Sequence, residues 1–160
     1  MGHLRRAAAQ GGAPPPVGPA VSKWWIPRRF IVDGGHNPQG AEALAASLAD
    51  LLGEEGCASV DFALGVLADK DYPAMVRVVA PWARSFSVYA PKSPRALAAD
   101  ELEACVREIM VEEGRADDVP VRVSATPADA LRAARAAAGP EGCAVAFGTL
   151  YAIADLMAAL

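Results

Sequence analysis

The stretch Phe30-Ile31-Val32-Asp33-Gly34-Gly35-His36-Asn37-Pro38-Gln39-Gly40 decides how this chain folds. Three apolar residues run into an aspartate, two glycines and a histidine, and a helical apolar pattern follows. The expected unit is strand, turn, helix, with a carboxylate at the strand end. In open α/β sheets ligands bind at such junctions, outside the carboxyl ends of the strands. Glycines let the backbone come close to a phosphate or ribose, and the helix N-terminus behind them favours anions.

Working outward, the alternation of strand and helix continues to the end of the chain. The first strand is expected at Phe30–Asp33. A helix follows over Gln39–Leu52, with Ala41, Leu44, Ala45, Leu48, Leu51 and Leu52 on one face and Gly53 near its end. Val60–Leu67 reads as a second strand. Asp71 can cap a short helix that runs towards Ala80 and stops at Pro81. Ser85–Tyr89 is a third strand, Ala99–Glu113 an amphipathic helix and Val121–Ser124 a fourth strand. Thr126-Pro127 is an N-cap with proline at the first helical position, opening a helix to Ala138. Cys143–Phe147 is a fifth strand and Thr149–Ala159 a closing helix. The expected fold is α/β: a mostly parallel, Rossmann-like sheet of about five or six strands with helices on both faces. Much of the hydrophobic 53% of the chain is alanine, so those helices should pack closely.

Residues 1–28 differ in character. The run Gly11-Gly12-Ala13-Pro14-Pro15-Pro16-Val17-Gly18-Pro19 cannot propagate a helix or a ladder. It reads as a flexible tail or linker before one domain spanning residues 29–160. Trp24 and Trp25 either dock on the domain or mark part of a surface made for a larger neighbour; composition favours neither.

The 160 residues carry 15 basic and 19 acidic side chains, a net charge of −4. That disfavours a nucleic-acid partner, whose binding needs a basic surface. Cys57, Cys105 and Cys143 are scattered and form no CxxC pair, as in a reducing cytoplasm. No run of about 18 apolar residues is present, and Arg5-Arg6 is not followed by the apolar core of a secretion signal. The expectations are therefore a cytoplasmic protein with no membrane and no nucleic-acid partner.

Four strand ends carry the polar residues. They are Asp33–Gly40, Gly65-Val66-Leu67-Ala68-Asp69-Lys70-Asp71, Lys92-Ser93-Pro94-Arg95-Ala96 and Phe147-Gly148-Thr149-Leu150-Tyr151. In a parallel sheet all four lie on one edge, and together they suit an anionic ligand and a nucleotide. Each has an ordinary alternative. Asp33 can cap its own turn, and His36 can be a hydrogen-bonded loop histidine. Lys70 can form a surface trio with Asp69 and Asp71, Arg95 can pair with a nearby carboxylate, and Thr149 can cap the last helix. There is no GxxxxGK[ST] loop and no GxGxxG. His3 and His36 lack partners at zinc spacing, so no metal site is expected.

In order, these segments resemble the C-terminal domain of the folylpolyglutamate and dihydrofolate synthases, of the Mur ligase superfamily. That family carries Asp-Gly-Ala-His-Asn-Pro-x-Gly, where Gly35 stands here for alanine. Gly-x-x-x-Asp-Lys-Asp follows at Gly65–Asp71, Ser-Pro-Arg-Ala-Leu at Ser93–Leu97, and Phe-Gly-Ser-Leu-Tyr at Phe147–Tyr151, with Thr149 for serine. The resemblance implies an ATP- and Mg²⁺-dependent ligase of folate metabolism. A carboxylate of folate is phosphorylated, and the amine of L-glutamate attacks the acyl phosphate. It implies a nucleotide-side role for Asp33, Gly34 and Asn37. His36 would lie near the reacting groups and Lys70 near the incoming amino acid, both as catalytic positions. Lys70, Arg95 and Thr149 would hold substrate. The family's phosphate loop and most of its metal ligands belong to a preceding P-loop ATPase domain, which these residues do not include. The chain is then expected to need that domain, in cis or in trans, and to be inactive alone. The alternatives are a non-catalytic module that holds a nucleotide or a partner, and the equivalent domain of a ligase acting on cell-wall precursors.

Overall fold

The computed structural model describes residues 4–7, 29–55 and 59–158. Six strands form one sheet: β1 (Leu4–Ala7), β2 (Arg29–Asp33), β3 (Val60–Leu64), β4 (Ala83–Val88), β5 (Val121–Val123) and β6 (Cys143–Phe147). Five helices accompany them: α1 (Pro38–Glu55), α2 (Tyr72–Val79), α3 (Ala99–Glu112), α4 (Pro127–Ala138) and α5 (Ile153–Ala158). The strand order is β1-β2-β6-β3-β4-β5. All neighbours run parallel except β1, which pairs antiparallel with β2. The carboxyl ends of β2, β6, β3 and β4 therefore lie side by side on one edge.

The strand side chains alternate between two cores, as the two-residue period of a strand requires. Ile31, Phe62, Leu64, Phe86, Val88, Val145 and Phe147 face α1, α2 and α3. There Phe62 stacks on Phe86 at 5.2 Å and meets Phe147 edge-on at 5.6 Å. Phe30, Val32, Ala63, Ala144 and Ala146 face Ala130, Leu131, Ala134 and Ala138 of α4 and Leu156 of α5. Small residues on both partners let α4 lie close across β3, β4 and β6, the close packing the alanine content foretold.

On this second face Asp61 is 1% exposed. It accepts hydrogen bonds from Ser85 Oγ (2.5 Å) and from Arg84 Nε (3.0 Å). Arg84 also donates to the Ala137 carbonyl in the last turn of α4 (2.6 Å). The charge is compensated, and the far end of α4 is tied to β3 and β4.

Several boundaries differ from the sequence expectation. Residues 1–28 were expected to be a flexible tail, but Leu4–Ala7 forms β1 along β2. The backbone groups on that side of β2 need hydrogen-bonding partners, and the four-residue strand Leu4–Ala7 supplies them. The proline- and glycine-rich run, Trp24, Trp25 and Cys57 lie outside the described residues. The second strand ends at Leu64 rather than Leu67, because Val66–Leu67 leave the ladder to pair with the loop after β4: Leu97 N–H donates to the Val66 carbonyl (3.0 Å) and Ala68 N–H to the Arg95 carbonyl (2.8 Å). Helix α1 begins at Pro38 and continues past Gly53. A glycine without a left-handed backbone weakens a helix without ending it. Pro81 does not end the α2 segment outright, since Ala80–Trp82 adds a 3-10 turn. The closing helix is a 3-10 turn, Leu150–Ala152, followed by α5. No described helix is long and apolar enough to cross a membrane.

Candidate functional site at the carboxyl edge of the sheet

The first strand end is an ordered turn. Asp33 is 2% exposed, and its Oδ1 accepts the Gly35 N–H at 2.7 Å. Burial pushes the Asp33 carboxyl above its ordinary range, and the Gly35 hydrogen bond opposes that less strongly. Asn37 caps α1: its Oδ1 accepts the Gly40 N–H (2.8 Å) and its carbonyl the Ala41 N–H (3.0 Å), with Pro38 as the first helical residue. The glycines serve close approach, since none of Gly34, Gly35 and Gly40 has positive φ. A Cβ on Gly40 would stand 2.9 Å from the Gly35 Cα, and one on Gly34 would stand 2.5 Å from Leu150 Cδ2. Half-buried His36 places Nδ1 3.4 Å from the Gly34 carbonyl. With the proton on Nδ1, Nε2 is left as an acceptor.

The last strand end is fastened to this turn. Gly148 N–H donates to the Gly35 carbonyl at 3.1 Å. Gly148 has φ 121° and lies against the Gly65 carbonyl, where a Cβ would overlap it, so glycine is required there. Thr149 is 2% exposed, and its Oγ1 accepts the Tyr151 N–H (3.2 Å). Leu150 and Tyr151, at 59% and 56% exposure, stand out from the edge.

The loops after β3 and β4 form the other half. Arg95 pairs with Asp69. The Arg95 guanidinium, first, and the Lys70 charge hold the Asp69 carboxyl below its ordinary range. Arg95 is held above its own range by Asp69, with a smaller contribution from Tyr151. Asp71 caps α2, accepting the Ala74 N–H at 3.2 Å. Lys70 is half-buried between these aspartates, and no ion pair within 4.0 Å involves it among the described residues.

The four segments thus meet as two linked pairs: the Asp33 turn with the Gly148–Thr149 end, and the Asp69–Lys70 loop with the Arg95 loop. Tyr151 approaches Arg95 between them. Asp33, Asn37 and Thr149 are engaged in ordering their own turns. His36 and Lys70 keep side-chain atoms available. Arg95 is not an independent cation, because Asp69 neutralises it. Asp69, Tyr151 and Gly148 were not singled out from the sequence; only their positions in the four segments pointed to them. Among the described residues no group of three or more His, Cys, Asp or Glu side chains converges. The donor set here does not fit a divalent ion, and no step is assigned to one.

Residues 22–150 match the family model of the Mur ligase glutamate ligase domain. The chain belongs to this family. It is 36% identical over 90 residues to the folylpolyglutamate synthase of Lacticaseibacillus casei, a match covering 56% of this chain and 19% of that protein. The fold matches the Mycobacterium tuberculosis folylpolyglutamate synthase solved with ADP at a TM-score of 0.68 and 26% identity, over 82% of this chain and 30% of that one. It also matches E. coli FolC in complex with ADP at a TM-score of 0.67 and 23% identity, over 83% and 29%. The chain spans less than a third of the length of each of these proteins. The family match confirms the kinship and the α/β fold expected from the four segments.

Proposed function

We propose that this chain is the glutamate-adding domain of an ATP-dependent folylpolyglutamate synthase and works together with a P-loop ATPase domain. The observation that carries the proposal is the gathering of the four strand-end segments on one edge, in a chain whose curated relative is a folylpolyglutamate synthase.

In the reaction the γ-phosphoryl group of ATP passes to a folate carboxylate, giving ADP and an acyl phosphate. The amine of L-glutamate attacks the acyl carbon, the C–O bond to phosphate breaks, and the amine loses its proton. On this reading the nucleotide lies against the turn, where Gly34 allows close approach and Asp33 and Asn37 hold the backbone in place. His36 Nε2 is suited to accept a hydrogen bond or a proton near the reacting groups. Lys70 is suited to hold a carboxylate of the incoming glutamate, and Thr149 orders the segment beside it. Arg95 acts on substrate only as part of the pair with Asp69. Closure of a second domain over this edge would keep water from the acyl phosphate.

The test is phosphate release with ATP, Mg²⁺, folate and glutamate, with and without an added ATPase domain of a family member. The expected result is no turnover by the chain alone and glutamate-dependent turnover by the mixture. Glutamate should be preferred over glutamine by about tenfold or more, because glutamine leaves a cation unpaired. Turnover by the purified chain alone, or equal use of glutamine, would overturn the proposal.

A further inference from the structure

Tyr89 follows the last residue of β4 and is wholly buried on the α4–α5 face of the sheet. Its backbone N–H donates to the Leu64 carbonyl at 3.0 Å, continuing the β3–β4 ladder by one step. Among the described residues its hydroxyl has no hydrogen-bond partner. A buried, unpartnered hydroxyl is a cost, so whatever keeps this side chain in place must come from the ring.

The ring fills the space that a side chain at Gly65 would need. A Cβ at Gly65 would stand 2.6 Å from Tyr89 Cζ and 2.8 Å from Cδ2, well inside van der Waals contact. The Gly65 carbonyl in turn abuts Gly148. Gly148 donates to Gly35, and Gly35 binds the Asp33 carboxylate. A row of contacts therefore runs along the carboxyl edge from Tyr89 through Gly65 and Gly148 to Gly35. It contains no side chain but the phenol ring at one end and the carboxylate at the other. Close-packed rows of this kind transmit displacement, because neither backbone nor ring can deform to absorb it.

We infer that Tyr89 is a positioning residue for the carboxyl-edge site: its ring sets Gly65, Gly65 seats Gly148, and Gly148 fixes the Gly35 turn against the Thr149 strand end. The relevance to ligands rests on the function proposed above. The positioning itself does not.

The experiment is amide hydrogen exchange by ¹⁵N NMR on the full 160-residue chain, with Tyr89→Phe, Tyr89→Leu, Gly65→Ala and the double variant Gly65→Ala/Tyr89→Leu. Tyr89→Phe keeps the ring and should leave the Gly148 amide as protected as in the parent. Tyr89→Leu and Gly65→Ala should each speed Gly148 exchange by about tenfold or more while the Leu48 and Val106 amides, in helices on the opposite face, keep their rates. In the double variant the smaller side chain makes room for the new methyl, and Gly148 protection should recover at least in part. An unchanged Gly148 amide in Tyr89→Leu and Gly65→Ala would overturn the inference. So would equal acceleration of the Leu48 and Val106 amides, or strictly additive losses in the double variant. Titration of the same samples with MgADP reads the nucleotide proposal separately. A parent chain whose turn amides do not shift counts against that proposal, and the Gly148 rates still decide the role of Tyr89.

Discussion

The Asp33 carboxylate and the Gly35 amide meet at 2.7 Å inside the first turn, so the residue that resemblance places beside the nucleotide also builds the turn. Burial raises the Asp33 pKa above its ordinary value. Between those two values the folded state holds more proton than the unfolded chain. The stability this contributes is complete below the unfolded value and is lost as pH rises through the folded one.

Asp33→Asn keeps a carbonyl oxygen for Gly35 and removes the buried charge. Its melting temperature should match the parent near pH 3.5 and exceed it at pH 7. Thermal denaturation across that range checks this, and an advantage that shrinks as pH rises would contradict it. In a reconstituted ligase Asp33→Ala should slow the ATP-dependent step by about 30-fold or more, the loss of roughly 2 kcal/mol expected for a charge-assisted contact in a closed site.

Lys70→Ala should raise the KM for glutamate in that assembly by about 30-fold on the same argument and leave the melting temperature nearly unchanged. Asp69→Asn releases Arg95 from its partner. It too should leave the melting temperature nearly unchanged, since an exposed pair adds little to stability. Steady-state kinetics beside thermal denaturation separates the two effects, and a large fall in melting temperature for either variant would make these residues structural.

Arg84→Ala leaves the Asp61 carboxylate, buried beneath α4, with Ser85 alone. Asp61 is buried but Arg84 is 45% exposed, so losing this half-screened partner costs about 1–3 kcal/mol, which for a domain of this size is roughly 2–12 °C in melting temperature. Urea denaturation provides the free energy directly. A loss below about 1 kcal/mol would show that the charge finds water.

Ala146→Leu places extra carbons between β6 and α4, where both partners present small side chains. Overpacking of this kind costs about 1–3 kcal/mol. The substitution should lower stability without moving the carboxyl-edge turn, which heteronuclear NMR can follow through the Gly148 amide. A neutral outcome would mean that α4 stands off the sheet.

Much of this was legible before any coordinates. Cys143–Phe147 was read to the residue, and the Thr126 cap with Pro127 appears as expected, Oγ1 accepting the Asp129 N–H at 3.0 Å. These features are local: a strand bounded by glycine on both sides and a cap set by its own next three residues. Two of the misplaced boundaries are set by a distant segment. β3 stops early because Val66 meets Leu97, and the first residues become a strand because β2 offers them an edge.

From residue 29 onward, the order of elements and the four polar segments were legible in the residues themselves, because apolar period, caps and glycine placement act over a few residues. The tertiary structure alone decided which of those polar groups are still available. It joins Arg95 to Asp69 and sets Tyr89 against Gly65, residues 26 and 24 apart in the chain. The side-chain types at those positions allow several partners. Only the parallel stacking of the strands, which brings β3 and β4 within one ladder spacing of each other, selects among them.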